Sequence, residues 1–242
     1  MIGFITVRTS STRLPKKCLL SFGESTVLNH IIRRAVSYDI EPIVCTSTSK
    51  EDDIIEEIAN KEGVKCYRGS LDNKLQRWLD CANHFNIDTF HTIDADDPFF
   101  DGDEMISSMK MLQEEGVDMI TPTESSSAGG ASVGYSLTTD IVKRACKDLD
   151  KDTDTEMMWY YIEKVPDLKT KILPETRRKI SNMRLTLDYE EDYWLLESVR
   201  RILGNLASRD EVDKLFLSNS DMYKINWFKN EEWKAGQLSK KI

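Results

Sequence analysis

Several residue patterns are missing from the 242-residue sequence, and each absence excludes a class of protein. The five cysteines are scattered and never form a C-x-x-C pair, so we expect reduced thiols in a cytoplasmic protein rather than zinc ligands or disulfides. No apolar run approaches the ~20 residues of a membrane span. The first residues already form a predicted strand instead of a signal peptide. We therefore expect no membrane partner.

Signatures of nucleophilic catalysis and of nucleic-acid binding are missing as well. The sequence has three histidines, none of them in a recognisable dyad, and no G-x-S-x-G motif. It also has no G-x-G-[ST]-R loop, so phosphate binding by a glycine cradle is not expected. The formal net charge of -9 argues against a nucleic-acid partner.

The sequence does contain an alternation of short apolar runs and helical periodicity, which predicts an α/β fold. Such strand–helix–strand units favour a mainly parallel sheet with right-handed crossovers and helices on both faces. We predict strands at residues 2–7, 42–47, 65–68, 89–93, 117–121 and 133–137, and a further strand that ends at Asp188.

The loop after the first predicted strand is rich in cations and hydroxyl groups and has no acid: Arg8, Ser10, Ser11, Thr12, Arg13, Lys16 and Lys17. In open α/β sheets, ligands bind at the carboxyl ends of strands. Guanidinium, ammonium and hydroxyl donors suit a polyphosphate. A solvated basic loop would have the same composition, so charge alone leaves both interpretations open.

A cluster of acids follows the fourth predicted strand, at Asp94, Asp96 and Asp97. Carboxylates that stand close together repel one another and normally need a cation. The pair Asp94 and Asp96 also matches the D-x-D pattern of a metal-using glycosyltransferase, and this alternative stays open.

The order of residues 8–19, R-x-x-S-T-R-L-P-x-K-x-L, resembles the first-strand signature of the cytidylyltransferases that make CMP-activated sugar acids, the CMP-Kdo and CMP-acylneuraminate synthetases. It is closer still to the spore coat polysaccharide biosynthesis F-type branch. Residues 68–77, 95–98 and 183–192 resemble further elements of that family, with Ala95 in place of a glycine. The resemblance implies a single Rossmann-like domain of the GT-A-like nucleotide-diphospho-sugar transferase type over residues 1–242.

The resemblance also implies the reaction, which is Mg²⁺-dependent transfer of CMP from CTP to an acidic sugar or related acceptor with release of pyrophosphate. The catalytic residues implied are Arg13, Lys17 and Asp96, and the metal ligands are Asp96 and Asp188. The nucleotide-binding residues implied are Arg8, Ser11, Arg13, Lys17, Thr46, Ser47, Gly69, Ser70, Asn73 and Arg77. The substrate-binding residues implied are Arg184 and Arg178; for Arg178, which stands in a basic run, a plain surface patch is the alternative.

The family further implies that residues of about 125–180 form a substrate loop and a dimerisation extension, so that we expect a homodimer. The Gly/Ser-rich residues 125–132 and the aromatic residues 157–162 lie in this part of the chain. Burial of those aromatics in the protein's own core is the alternative. A second alternative for the function is a catalytically silent nucleotide-binding homologue, although a silent protein could lose Arg13, Lys17, Asp96 and Asp188 freely.

Overall fold

The computed structural model describes residues 1–127, 133–150, 153–176, 180 and 182–239. The strands, in chain order, are β1 (Ile2–Thr6), β2 (Ser21–Phe22), β3 (Ser25–Thr26), β4 (Glu41–Ser47), β5 (Lys65–Gly69), β6 (Thr89–Asp94), β7 (Met119–Thr121), β8 (Ser136–Thr138) and β9 (Thr170–Ile172). The α-helices are α1 (Val27–Ser37), α2 (Asp53–Glu62), α3 (Lys74–Phe85), α4 (Gly102–Glu115), α5 (Glu124–Ser127), α6 (Thr139–Cys146), α7 (Met158–Ile162), α8 (Glu190–Leu203), α9 (Arg209–Ser218) and α10 (Lys229–Ser239). Short 3₁₀ turns span Lys17–Leu19, Lys50–Asp52 and Met222–Ile225.

The main sheet has the strand order β5-β4-β1-β6-β8-β7-β9, and β2 pairs with β3 in a separate hairpin. Strands β5, β4, β1 and β6 are parallel to one another, and β9 is parallel to β7. Strand β8 runs antiparallel to both β6 and β7. The predicted α/β fold with a mainly parallel sheet is therefore confirmed. The ends of β1, β4, β5 and β6 point to one edge of the sheet.

Both faces of the sheet are buried. Neighbouring side chains on a strand point to opposite faces, so two consecutive buried residues show that both faces are covered. Phe4 and Ile5 are both fully buried, but they belong to different apolar clusters. Phe4 stacks on Phe90 with ring centroids 4.1 Å apart and packs towards α3, α6 and α7. Ile5 packs with residues of α1, α4 and α8. Helices on both faces thus fix the sheet edge at which the strand ends meet.

The prediction of a strand ending at Asp188 is wrong. Residues 183–188 form no strand ladder. Their backbone groups bond to side chains and to a loop instead of to a strand: Leu187 N donates to Asp96 O at 2.7 Å, and the Arg184 carbonyl accepts from the Asn226 side chain at 2.9 Å. This segment therefore crosses the end of β6 and leads into α8.

The division of the chain at residues of about 125–180 stays a prediction. Within it, residues 128–132 lie outside the described residues, as do 151, 152, 177–179 and 181. Among the helices of the described residues, none combines the length and the apolar character that crossing a membrane requires.

Two buried histidines make the stability depend on pH. Burial lowers the pKa of His30 and of His91 from 6.5 to about 4. Above pH 6.5 both imidazoles are neutral in the folded and unfolded chain, so they have no effect. As the pH falls from 6.5 towards 4, only the unfolded chain binds these protons, and folding stability is lost. Each histidine accounts for a loss on the order of 3 kcal/mol.

We therefore expect the free energy of unfolding to fall between pH 6.5 and pH 4, and His30→Leu to reduce that fall. Urea denaturation at a series of pH values measures this slope. The exposed His84 provides the control, because His84→Leu should leave the slope unchanged. A His30→Leu protein with the slope of the wild type would contradict the assignment.

Candidate active site

The loop after β1 is held in place by a buried carboxylate. Both the backbone N–H and the hydroxyl of Thr9 donate to Asp52 Oδ1, at 2.8 and 2.7 Å. The Thr9 carbonyl accepts from the backbone N–H groups of Ser11 and Lys16, which turns the loop back on itself. Burial alone would raise the pKa of Asp52, but the hydrogen bonds from Ser47 and Thr9 lower it. The carboxylate is therefore ionised and keeps the loop at the end of β1.

This loop forms one wall of a cleft with a volume of about 520 Å³ at the carboxyl ends of β1 and β6. The cleft is lined by Thr6, Val7, Arg8, Ser10, Ser11, Thr12, Arg13, Lys17, Cys18, Lys74, Asp94, Ala95, Asp96, Asp154, Glu156 and Gly236. Burial raises the pKa of the Cys18 thiol to about 12, so this thiol stays protonated and is not a nucleophile.

An ion cluster around Lys17 joins distant parts of the chain. Lys17 Nζ donates to Asp96 Oδ2 at 2.7 Å, to Asp188 Oδ1 at 3.1 Å and to the Leu187 carbonyl at 2.8 Å. Arg13 Nη2 reaches the same Asp188 oxygen at 2.6 Å. The structure thus brings together Arg13, Lys17, Asp96 and Asp188. Their catalytic and metal-binding roles, which the resemblance implies, stay predictions.

The charges of this cluster stabilise one another. Burial alone would lower the pKa of Lys17, but the carboxylates of Asp96 and Asp188 raise it above its ordinary value. Burial alone would raise the pKa of Asp188, but the positive charges of Lys17, Arg13 and Arg184 lower it. Lys17 and Asp188 are therefore both charged at neutral pH.

Asp188 rests on a second, fully buried ion pair. Arg184 Nη2 donates to Asp188 Oδ2 at 3.1 Å, and Arg184 Nε donates to Asp192 Oδ1 at 2.9 Å. Asp192 also accepts the backbone N–H groups of Asp188 and Tyr189, at 2.9 and 3.0 Å, and so caps α8. This arrangement fixes both the backbone and the carboxylate of Asp188.

The C-terminal tail supports the same pair. The buried Asn226 side chain donates to Asp192 Oδ1 and to the Arg184 carbonyl, both at 2.9 Å. The Arg184 guanidinium lies over the Trp233 ring, 5.5 Å from its centroid. Further along α10, Gly236 reaches the cleft itself. The tail therefore belongs to the site and is not a loose appendage.

Asp96 and Asp188 fit the predicted magnesium site. Oxygens of both carboxylates lie within hydrogen-bond distance of one atom, Lys17 Nζ, so both can reach a single cation. Mg²⁺ prefers oxygen ligands and commonly takes one or two carboxylates, with phosphate and water completing its shell. Within the described residues, no group of three or more acids, histidines or cysteines gathers as a metal site. The two carboxylates thus suit an ion that arrives with a phosphate ligand.

Asp94 differs from Asp96 in its surroundings. Burial, together with the charge of Asp96, raises the pKa of Asp94 to about 6, although Lys74 acts in the opposite direction. Asp96 itself is bonded to Lys17. The two acids of the D-x-D pattern therefore have different electrostatic surroundings.

Among the other predicted nucleotide-binding residues, Arg8 and Ser11 line the cleft. Thr46 and Ser47 are fully buried, and the Ser47 hydroxyl donates to Asp52 Oδ2 at 2.5 Å. Ser47 therefore supports the loop through Asp52. Their contact with a nucleotide stays a prediction.

The predicted residues around the start of α3 are engaged with one another. Asn73 is buried and caps α3 by accepting from Gln76 N at 2.9 Å, and Ser70 Oγ accepts from Asn73 N at 3.0 Å. Arg77 is buried, and its guanidinium donates to the Ser70 carbonyl at 2.5 Å. Burial lowers the pKa of Arg77 to about 10. A Cβ atom at Gly69 would lie 3.0 Å from Arg77 Cγ, so the Gly69 backbone lies close to the Arg77 side chain.

Direct nucleotide contacts by Gly69, Ser70, Asn73 and Arg77 stay predictions, as do substrate contacts by Arg184 and Arg178. Arg184 is fully buried beneath Asp188 and does not line the described cleft. Arg178 lies outside the described residues.

Sequence reasoning missed Lys74, Asp154, Glu156 and Gly236, all of which line the cleft. Lys74 lies within residues 68–77, which resemble a family element, and this position could have indicated that it lies near the site. No sequence signal indicated Asp154 and Glu156, because only the fold brings residues 153–157 to the start of α3.

Because Arg184 pairs with two buried carboxylates, replacing it should lower the free energy of unfolding much more than replacing an exposed arginine. Arg184→Met leaves the carboxylates of Asp188 and Asp192 buried with fewer partners, and we expect a loss of about 3–5 kcal/mol in the free energy of unfolding. Arg201→Met is the matched control: Arg201 pairs with Glu197 but its side chain is 71% exposed, so the loss should stay below about 1 kcal/mol. Urea denaturation measures both, and equal losses would show that the buried pair has no special weight.

Known proteins are similar in sequence to this chain over most of its length. The cytidylyltransferase family model matches residues 2–225. The uncharacterized protein MJ1063 of Methanocaldococcus jannaschii is 30% identical over 221 residues, which cover 89% of this chain and 90% of the relative. The spore coat polysaccharide biosynthesis protein SpsF of Bacillus subtilis is 27% identical over 222 residues, which cover 88% of this chain and 90% of the relative.

A solved structure agrees with these sequence relatives. The structure of a cytidylyltransferase from Leptospira borgpetersenii superimposes with a TM-score of 0.79 at 25% identity, covering 92% of this chain and 96% of that one. The cation-lined cleft, the family match and this fold point to the same chemistry. The chain belongs to the cytidylyltransferase family, and the protein is a nucleotidyltransferase.

Proposed function

We propose that the protein transfers CMP from CTP to an acidic sugar or related acceptor for the synthesis of a surface polysaccharide or glycoconjugate, with Mg²⁺ and with release of pyrophosphate. The observation that carries this proposal is the position of Lys17 Nζ between Asp96 and Asp188 in a cleft at the strand ends. The family match and the name of the Bacillus relative support it.

In the proposed reaction, Arg8, Arg13 and Lys17 bind the triphosphate. Asp96 and Asp188 would hold Mg²⁺, which supplies charge neutralisation at the α-phosphate. An acceptor oxygen attacks the α-phosphorus in line; the new P–O bond forms while the bond to pyrophosphate breaks. Lys17 and Arg13 then stabilise the negative charge that develops on the departing pyrophosphate. Side chains act here by position and charge, and none forms a covalent intermediate.

The proposal includes a homodimer and a cytoplasmic location. The predicted extension presents apolar side chains to solvent, with Tyr160 41% and Ile172 69% exposed, and such residues suit a subunit contact. The cysteines are free thiols, as is typical of reducing compartments.

A glycosyltransferase acting on a nucleotide-sugar is less well supported, because a sugar diphosphate held by metal has less need of four cations in the cleft wall.

Pyrophosphate release from CTP, ATP, GTP and UTP with Mg²⁺, measured against a panel of sugar acids and phosphorylated acceptors, tests the proposal. We expect release with CTP and one acceptor, and none with a chelator present. Lys17→Met should reduce the rate by at least about 100-fold, because it removes a charge that acts on the leaving group. Lys16→Met is the control, since Lys16 is exposed and does not line the cleft, and its rate should be unchanged.

Thermal shifts with the same nucleotides separate two kinds of negative result. Stabilisation by CTP without release would mean that the panel lacked the acceptor. The absence of both release and stabilisation with every triphosphate would overturn the proposal and favour the silent homologue or the glycosyltransferase.

A further inference from the structure

We propose that Arg8 and Lys74 form an oxyanion subsite of the cleft, distinct from the cluster around Lys17, and that Glu156 fills this subsite until a substrate oxyanion displaces it. The inference rests on the proposed function, since the incoming group is either a phosphate of CTP or the anionic group of the acceptor. Both are oxyanions that two converging cations would recognise.

The geometry of the subsite is that of a bound carboxylate. Arg8 Nη2 lies 2.9 Å from Glu156 Oε2, and Lys74 Nζ lies 3.6 Å from Glu156 Oε1. Each oxygen of the carboxylate thus faces its own cation. All three side chains line the cleft. Glu156 therefore shows where an oxyanion sits and which groups hold it.

Lys74 is a buried cation at the wall of a ligand cleft. Its side chain is only 9% exposed, and its ammonium lies 5.4 Å from the centre of the Trp78 ring. Burying an ammonium is unfavourable unless it meets a negative group. The 3.6 Å contact with Glu156 is longer than a hydrogen bond, so Lys74 still has capacity for a closer oxyanion.

Arg8 is positioned independently of Glu156. Its Nη1 donates to the Leu71 carbonyl at 2.5 Å, which keeps the guanidinium at the start of α3 when the carboxylate leaves. Asp72 lies 3.9 Å from Arg8, but its side chain is 58% exposed and screened by water. Arg8 and Lys74 share the single carboxylate of Glu156, and the charge of Asp94 also acts on Lys74. A ligand with more than one negative charge would pair with both cations more fully than Glu156 does.

Glu156 can leave without disturbing its own segment. The neighbouring Thr155 is fully buried, accepts from Leu75 N at 2.9 Å and donates to Asn73 Oδ1 at 3.1 Å. These bonds anchor the backbone of the segment to α3. The Glu156 side chain is 38% exposed, and an ion pair so open to water is weak. Displacement therefore takes place by a side-chain rotation while the backbone of the segment stays anchored.

Calorimetric titration with CTP in the presence of a chelator tests this subsite, because no metal is then involved. We expect Glu156→Gln to bind CTP about threefold more tightly, a change that matches the free energy of a partly exposed ion pair. Lys74→Met, which keeps the packing on Trp78, should bind CTP about tenfold more weakly and reduce the gain from Glu156→Gln in the double variant. Cytidine, which has no phosphate, should bind all variants equally.

Glu163→Gln is the matched control, since Glu163 is an exposed acid of the same region and does not line the cleft. It makes the same change in net charge and should leave CTP affinity unchanged. Melting temperatures of all variants establish that they are folded.

A second titration distinguishes the two sources of the oxyanion. If Glu156→Gln leaves CTP affinity unchanged but strengthens binding of inorganic phosphate to the CTP-loaded protein, the subsite takes the acceptor's anionic group. If it strengthens neither while the wild-type protein binds CTP, the subsite proposal is overturned and the proposed function stands. A wild-type protein that binds no CTP overturns the proposed function and this inference with it.

Discussion

The shared hold of Asp96 and Asp188 on the Lys17 ammonium is the interaction on which the site depends. This interaction joins the loop after β1, the loop after β6 and residues 183–188, which lead into α8. A largely buried charge is tolerated only where partners of opposite charge are well placed, and removing one partner leaves the others uncompensated. The loops at this sheet edge are therefore fixed relative to one another by charge pairing as well as by the apolar layers beneath them.

The charges alternate in sign from the protein interior to the cleft. Asp192 holds Arg184, Arg184 holds Asp188, and Asp188 holds Lys17. Asn226 adds neutral hydrogen bonds at the buried end of this series. Such ordering explains why the Asp188 carboxylate, which is 3% exposed, stays ionised beside the cleft. It also explains why the tail after residue 225 packs against this part of the protein instead of another.

The sequence was informative where function follows directly from the end of a strand. The parallel sheet and the convergence of Arg13, Lys17 and Asp96 could be predicted, because the carboxyl ends of parallel strands meet at one edge. Asp188 was found through its motif, although the strand predicted before it does not form. That segment gives its backbone hydrogen bonds to Asp96 and Asn226, partners that no local pattern reveals. Glu156 was missed for the same reason, since its contact with Arg8 spans 148 residues of sequence.

The cations that line the described cleft all face carboxylates of the chain itself: Arg8, Arg13, Lys17 and Lys74. A ligand must therefore replace those carboxylates, and a single weak anion offers little advantage over them. A triphosphate offers several negative charges to the cations at once. Under the proposed function, Asp96 and Asp188 would hold Mg²⁺ in place of their contacts with Lys17 and Arg13. Under the proposed function, such an exchange would keep opposite charges paired during binding, which favours a polyphosphate with its metal ion over a single weak anion.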